Sequence, residues 1–499
     1  MILVARPLIS APTRKGTVQL WVGVFGIDNP ALPTFFLGTT PALQAAAQPA
    51  PDEKLYPLDD GAKNAADKPL NHQGVFTFAR LGAGINHCFR IVANGVEYSL
   101  AFVSQPDAVP ADGAPLNILL TSCYYQPNGD DKALENAVAQ LPSGFKPHLS
   151  LMVGDQVYLD VPVIPSWRFT LDGVQKLIGQ KYYKNWCSDT LGTGGLQSVL
   201  RTAPTACIPD DHEFWNNYPL DQFQLPPLAF VDKDDWSNTA MDLYAGFQLG
   251  GPAKTPQDIP GFQRIEVDPL IILMLDTRTR RDDSFNRLMP DDAAMALQHW
   301  ADDLILAKQN NAPKIGVLSA GQPMFTKPPG DFSKKYVDAD LANYQQFELI
   351  EVQLERLASQ GIPVVFLTGD VHWSRVCAAR HGSQPTPMLY EVICSPSTMI
   401  PRSSLIDIGL DKLHGKDWPG YPAAPEDKDL TSKFGSHNSF TVSRTTQDNY
   451  FQCNGNQIAV LQFTRSGFGL DMKVTFFGVS LDSRLKQPKS TANYLLRFY

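Results

Sequence analysis

Residues 362–375 read IPVVFLTGDVHWSR. Ile362–Leu367 is an apolar run of strand length, Thr368 and Gly369 end it, and Asp370 and His372 follow two residues apart. A buried strand that stops at a glycine delivers its next side chains to the open edge of a sheet, where ligands and metals bind in open α/β folds. A carboxylate and an imidazole at that edge can each bind a metal. A solvated Asp and a capping His in a βα loop would leave the same trace, so the other strand ends decide.

Those ends repeat the pattern. LNILLTS (Leu116–Ser122) runs into Cys123, and HLSLMVG (His148–Gly154) runs into Asp155-Gln156-Val157-Tyr158. PTACIPDDHEFWNN (Pro204–Asn217) carries Asp210, Asp211 and His212, and LIILMLDTRTRR (Leu270–Arg281) ends in Asp276 and Arg278. One strand-end Asp is explained by helix capping. Five acidic or metal-competent ends in one core are not, because carboxylates packed together without cations repel and are costly to bury ionised. The charge arithmetic therefore points to a multinuclear metal centre. Two metals about 3.5–4 Å apart form the usual clamp for displacement at phosphorus. Asp155 is placed to bridge two ions, with Tyr158 three residues on returning to one of them. Thiolate and phenolate ligands favour a strongly Lewis-acidic ion such as ferric iron, and carboxylates alone suit Ca²⁺, Mg²⁺ or Mn²⁺.

Between these strands lie helical patterns. Residues 131–141 read as a short helix and 163–202 as a mostly helical insertion. Residues 292–309 place Leu297, Trp300, Leu304 and Ala307 on one face, and 342–360 place Phe347, Ile350, Leu354 and Leu357 on one face ahead of Gly361. KIGVLSAGQP (Lys314–Pro323), MLYEVICSPS (Met388–Ser397), QIAVLQF and LDMKVTFFG read as further strands. Strands alternating with helices imply a layered α/β core. Residues 1–113 differ. TVQLWVGVFG, GVFTFARLG, HCFRIVAN and VEYSLAFVS are β-branched and aromatic. The span 40–73 reads as a long loop, and AVPADGAP (Ala108–Pro115) as a linker. The expected division is an N-terminal β-sandwich over 1–113 and a catalytic domain over 114–499.

The chain has 499 residues and a formal net charge of −9, with 43% hydrophobic and 19% charged residues. No basic stripe suggests a nucleic-acid partner. An anionic substrate would need local positive charge, which bound metals supply. The seven cysteines are scattered without CxxC pairs, which argues against a disulfide framework or a zinc ribbon. No apolar run approaches a membrane span. The first residues lack a signal-peptide core, so the expected location is cytoplasmic unless a leader has been removed.

Taken in order, Ser122-Cys123, GDQVY (Gly154–Tyr158), DDHE (Asp210–Glu213), DTRTRR (Asp276–Arg281) and GDVH (Gly369–His372) resemble the PhoD-like alkaline phosphatases, a branch of the calcineurin-like metallophosphoesterases. The resemblance covers roughly residues 115–400. The GDxxY element also resembles that of purple acid phosphatases, where the Tyr binds ferric iron. The resemblance implies a four-layer α/β/β/α metallophosphoesterase sandwich with an N-terminal β-sandwich domain. It implies Asp155 bridging the metals, Cys123, Tyr158 and His372 completing an iron site, and Asp211 and Asp370 holding calcium. Mn²⁺, Mg²⁺ and Zn²⁺ are the alternatives. The superfamily's middle His ligand has no clear match, and Gln322 is the polar group nearest its place.

The expected function is metal-dependent hydrolysis of small-molecule phosphate monoesters or diesters. Attack would come from a metal-bound hydroxide, with His212 protonating the leaving oxygen or stabilising the equatorial charge, and Arg278 gripping a phosphate oxygen. For Arg278 the competing reading is an ion pair with Asp276, Asp282 or Asp283. For Trp373 it is core packing, and Asn216 and Asn217 are candidates for orienting ligands. His437 and Tyr450 lie in a late polar loop. Two further functions are consistent with the residues: a dedicated phosphodiesterase acting on phospholipid or teichoic-type polymers, and a non-catalytic protein that binds a phosphorylated ligand through metal.

Overall fold

The computed structural model describes residues 1–10, 16–128, 131–161, 170–220, 233–251, 258–325, 341–382, 386–399, 429–431, 440–443, 450–453, 455–467, 469–480 and 488–498. The leading segment supplies β1 (Ile2–Leu8), β2 (Val18–Phe25), β3 (Thr34–Thr40), β4 (Leu43–Ala47), β5 (Tyr56–Pro57), β6 (Asn71–Phe78), β7 (Asn86–Ala93) and β8 (Val96–Val103). The core continues with β9 (Leu116–Thr121), α1 (Ala133–Ala139), β10 (Leu149–Val153), α2 (Leu171–Trp186), α3 (Ser188–Leu191), α4 (Gln197–Leu200), β11 (Thr205–Ile208) and α5 (Lys233–Tyr244). Its second half holds β12 (Phe262–Val267), β13 (Leu270–Leu275), α6 (Asp291–Gln309), β14 (Ile315–Ser319), α7 (Phe347–Ser359), β15 (Val364–Thr368), β16 (Ser374–His381) and β17 (Leu389–Ile393). Then come the short β18 (Asp429–Thr431), β19 (Phe440–Ser443) and β20 (Phe451–Cys453), the long hairpin β21 (Gln457–Ser466) and β22 (Gly469–Gly478), and β23 (Lys489–Ser490) and β24 (Tyr494–Arg497).

Two large sheets face each other. The first runs β23-β22-β21-β9-β10-β11-β1-β2-β6-β5, with β24 also on β22; the second runs β12-β13-β14-β15-β17-β16-β19-β18, with β20 also on β16. At the centre of each the strands are parallel: β9, β10, β11 and β1 in one, and β13, β14, β15 and β17 in the other. Parallel strands are covered on both faces and read as continuous apolar runs, and here alternate residues serve different layers. Leu116, Ile118 and Leu120 of β9 meet Ile272, Met274, Val365 and Leu367 between the sheets. Leu119 turns outward to α1, α2 and α5. Ile271, Leu273, Val364 and Phe366 turn outward to α6 and α7. The layers are therefore α/β/β/α.

In α6 the buried stripe is Ala293, Ala296, Leu297, Trp300, Ala301 and Leu304, and the Trp300 indole donates to the Ile271 carbonyl at 2.9 Å. The second long helix starts later than its apolar period suggests. Residues 341–343 form a 3₁₀ turn, and the amides of Gln345 and Gln346 donate to the carbonyls of Phe285 and Asn286 at 2.8 and 3.0 Å. The neighbouring loop thus takes the donors of the expected first turn, and α7 begins at Phe347.

The leading segment builds a second sandwich, in which the four-stranded sheet β4-β3-β7-β8 covers β1, β2 and β6 through Val22, Phe35, Phe76, Phe89 and Phe102. It shares a sheet with the core, since β1 pairs in parallel with β11 at Leu8 and Thr205. The span expected as one long loop instead carries β4, β5 and the start of β6, where Phe35 and Phe36 pair with Ala47 and Ala46. The expected linker is tied down too: Val109 is buried and its amide donates to the Asp268 carbonyl at 2.8 Å. Of the expected insertion, α2, α3 and α4 are described and 162–169 lie outside the described residues, as does His437. No described helix is long and apolar enough to cross a membrane.

Candidate metal centre

The parallel strands of both sheets deliver their next residues to one edge. β9 leads to Cys123, β10 to Asp155, β11 to Asp210 and Asp211, and β15 to Asp370 and His372. The sheets are joined there, with Ser122 Oγ donating to the Cys394 carbonyl at 2.7 Å and the Ser397 amide donating to the Ser122 carbonyl at 2.8 Å. The strand-ending glycines make this approach feasible. A Cβ on Gly154, whose φ is +96°, would lie 2.6 Å from Asp210 Cβ, and one on Gly369 would overlap Ser122.

Backbone strain is concentrated at this edge. Cys123, Asp155, Asp370 and His372 have φ of 51°, 56°, 66° and 57°, in the left-handed region. Such conformations cost on the order of 1–3 kcal/mol each and gather at functional sites. They turn each side chain out of its strand direction towards the others.

The six expected metal ligands come together. Cys123 Sγ and Tyr158 Oη each lie 3.4 Å from Asp155 Oδ2, and Tyr158 Oη lies 3.4 Å from His372 Nε2. Asp210, Asp211 and Asp370 place carboxylate oxygens within 4.8 Å of one another, and Asp155, Asp211 and His212 form a second such group. Cys123, Asp155, Tyr158 and Asp211 are buried, whereas Asp370 and His372 are half-buried at the opening.

A scaffold holds these groups from behind. Glu213 accepts from the amides of Asp155, Gln156 and Asp210 at 3.0, 2.7 and 2.8 Å, and from Gln248 Nε2 at 3.1 Å. The Asn217 amide donates to Asp211 at 2.5 Å, so this residue orients a ligand through its backbone. Ser395 Oγ donates to Cys123 Sγ at 3.1 Å and accepts from the His372 amide at 3.1 Å. Gln322 donates to Asp370 at 3.0 Å and accepts from Arg281 at 3.0 Å.

His212 donates from Nδ1 to Asp160 at 2.8 Å, and Asp160 also accepts from the Asn216 amide at 2.8 Å. The reading of the sequence missed Asp160. GDQVYLD carries this second acid five residues after Asp155, but its partner His212 lies 52 residues further along the chain. Glu213 stood inside a quoted motif without a role, because its partners lie up to 58 residues away.

Arg278 stands beside Asp210. It is fully buried, its Nε donates to Asp210 at 2.5 Å, a second guanidinium nitrogen pairs with the same carboxylate, and NH1 donates to the Tyr218 carbonyl at 3.0 Å. Asp276 is a local organiser that accepts from the amides of Arg278 and Thr279 at 2.9 Å. Trp373 is core, buried beside Ile393 with the Arg375 guanidinium 4.9 Å over its ring. Tyr450 hydrogen-bonds Gln452 at 3.2 Å and packs towards the α6–α7 core.

Electrostatics show what the pocket fits. Burial, with Asp211, Asp210 and Glu213 nearby, holds the Asp155 carboxyl well above its ordinary range despite His212. Burial and then Asp155 raise the Cys123 thiol, and burial and then Cys123 raise the Tyr158 phenol. Burial pushes Asp210 up to about 7 even against Arg278. Asp211 is the exception: burial would raise it, but Arg278 and His212 together hold it below its usual value. Its Oδ1 and Asp210 Oδ2 are buried without a hydrogen-bond partner among the described residues. Buried anionic donors with unspent lone pairs suit cations, so the residues present fit a pair of metal ions.

No family model matches the chain, and no curated protein matches its sequence. Two solved structures are similar over nearly its whole length. One, PhoD, superposes with a TM-score of 0.59 at 15% identity, covering 99% of this chain and 90% of that one. The other is a purple acid phosphatase from yellow lupin (Lupinus luteus) seeds, with a TM-score of 0.56 at 10% identity, covering 98% of this chain and 74% of that one. The chain therefore has the fold that PhoD shares with the purple acid phosphatases.

Proposed function

We propose that the chain is a metal-dependent phosphoesterase of the PhoD-like type, hydrolysing small phosphate monoesters, diesters or both. The observation that carries this reading is the convergence of Cys123, Tyr158 and His372 around Asp155, with Asp210, Asp211 and Asp370 alongside. Cys123, Asp155, Tyr158 and His372 would hold one ion. Their thiolate and phenolate favour ferric iron. Asp155, Asp211 and Asp370 would hold the other, and an all-oxygen set suits Ca²⁺. Bound together, the ions supply the Lewis acidity that activates water and neutralises the phosphoryl group.

The chain's own residues do the rest. Asp160 fixes the His212 ring by accepting from Nδ1, which leaves Nε2 to pass a proton to the departing oxygen. Arg278 pairs with Asp210 and helps keep the neighbouring Asp211 ionised for its ion. Gln322 holds Asp370 by its carboxylate, in the region where the superfamily's middle His is missing.

The test is hydrolysis of a chromogenic phosphate monoester and the matching diester, side by side, after reconstitution with iron and calcium. Turnover well above that of Asp155→Asn supports the reading, and a strong diester preference would narrow it to a phosphodiesterase. Metal-loaded protein that turns over neither ester would contradict it.

A further inference from the structure

The GDQVY tyrosine borders a second space. A cavity of about 170 Å³ is lined by Tyr125, Tyr158, Val161, Leu177, Lys184 and Asn185, among others. Tyr158 belongs both to this cavity and to the candidate metal centre, where its hydroxyl reaches Asp155 and His372. Among the described lining residues, Tyr158 is the one that the cavity shares with the candidate centre.

Its walls are specific. Tyr125 and Tyr158 meet edge to face with ring centroids 5.7 Å apart, and Leu177 and Val161 add aliphatic surface. Lys181 is already committed, donating to the carbonyls of Tyr158, Leu159 and Val161 at 3.0, 2.6 and 2.8 Å, and it fixes this wall in place. Asn185 is 2% exposed. Its Nδ2 donates to the Lys181 carbonyl at 3.2 Å, whereas its Oδ1 is buried with no hydrogen-bond donor among the described residues. An unsatisfied buried acceptor on a cavity lining asks for a donor from a ligand or an ordered water. Lys184 is exposed and makes no ion pair among the described residues, which leaves a positive charge on the lining.

Size limits the ligand. An engineered apolar cavity of about 150 Å³ takes one benzene ring, so this one, at about 170 Å³, has room for a single planar ring.

We propose that this cavity is the leaving-group site, and that it selects phosphoesters whose alcohol carries a single planar ring with an N–H or O–H donor for Asn185 Oδ1. The proposal rests on the phosphoesterase reading and names the substrate class of that same centre. The ring chemistry has two sources, a phenol-type aryl phosphate and a pyrimidine nucleotide.

The test compares kcat/KM of the metal-loaded protein for 4-aminophenyl phosphate, phenyl phosphate, cytidine monophosphate and glycerol phosphate. The donor-bearing ring esters should exceed glycerol phosphate by more than tenfold. 4-Aminophenyl phosphate should exceed phenyl phosphate roughly tenfold, the effect of one satisfied buried acceptor. The ring ester whose lead over glycerol phosphate is lost in Leu177→Trp identifies the source, because a phenol departs more readily than an alkyl alcohol without any pocket. Asn185→Leu should erase the amino-group preference, and Leu177→Trp, which fills the cavity, should erase the ring preference. Because Asn185→Leu sits in a core position, melting curves accompany both variants. Binding of 4-aminophenol and cytidine to the full chain is measured separately by calorimetry. Esters hydrolysed without ring preference, and no binding of either ring alcohol, would overturn the pocket while leaving the phosphoesterase reading intact. Ring binding lost in Leu177→Trp, with no ester hydrolysed, would support the pocket and overturn the phosphoesterase reading.

Discussion

Asp160 is the residue on which the acid–base side of the account turns. Its hydrogen bonds among the described residues are with His212, from whose Nδ1 it accepts, and with the Asn216 amide. Burial alone would push the His212 imidazole down, but Asp160 and Asp211 outweigh it and hold it well above its ordinary value. Partners of this kind typically contribute about 10–100-fold to activity. Asp160→Asn should therefore lower kcat by roughly that factor while metal content, read by elemental analysis, stays at the wild-type level. Loss of metal in proportion to activity would make Asp160 part of the ligand scaffold instead. The candidate ligands themselves were legible in the sequence, because Cys123, Asp155 and Asp370 each stand two residues past the end of an apolar strand and Asp211, His372 and Tyr158 follow within five. Asp160, Glu213 and the Arg278–Asp210 pair were not. Their roles come from contacts 52, 58 and 68 residues apart, which no local pattern reports.

At the scale of elements, two sites of buried charge bear on stability. Arg375 on β16 and Glu391 on β17 are fully buried and paired, and Glu391 also accepts from the amides of Met324 and Phe325 at 2.8 and 3.1 Å. Removing one partner of a buried pair costs about 3–5 kcal/mol, whereas replacing both with apolar residues is often neutral. Arg375→Met should thus lower the urea midpoint sharply, and adding Glu391→Leu should recover only part of the loss, because the two amides lose their acceptor.

The second charge is Glu135 on α1. It accepts from the Gly195 amide at 2.6 Å, its other oxygen has no partner among the described residues, and burial raises its carboxyl from about 4.5 to about 7. A carboxyl raised in the folded state holds its proton there longer than in the unfolded chain. Stability at this site therefore falls as pH rises from about 4.5 through about 7. Glu135→Gln keeps an acceptor for Gly195 and removes the titration. Its stability advantage over wild type should be absent near pH 4.5, grow to pH 7 and then level off. A pH-independent difference would contradict this. The two long helices α6 and α7 were legible from their apolar period, although α7 starts late where a neighbouring loop takes the amides of Gln345 and Gln346; α5 went unread.

At the scale of the whole molecule, the sequence pointed to two β-rich and α/β parts by composition, and the α/β/β/α layering follows from alternate strand residues facing different cores. What composition could not report is that the parts share a sheet. β1 lies against β11, Arg6 donates to the Phe247 and Gln248 carbonyls at 2.8 Å, and the Trp21 indole donates to the Gly246 carbonyl at 2.8 Å. Removing residues 1–113 would uncover the β11 edge and leave these carbonyls without donors. Residues 114–499 expressed alone should be insoluble or lack a cooperative thermal transition. A well-folded fragment with a sharp transition would contradict the shared-sheet account.

The central claim is that Asp155 joins two cations in a phosphoester-cleaving centre. The most direct measurement is the number of metal ions bound per chain, followed together with monoester and diester turnover, in wild type and in Asp155→Asn. The account predicts two ions per wild-type chain, loss of at least one in Asp155→Asn, and turnover that falls with them and vanishes after chelation. Full metal content and full turnover in Asp155→Asn, or turnover that survives complete chelation, would contradict it.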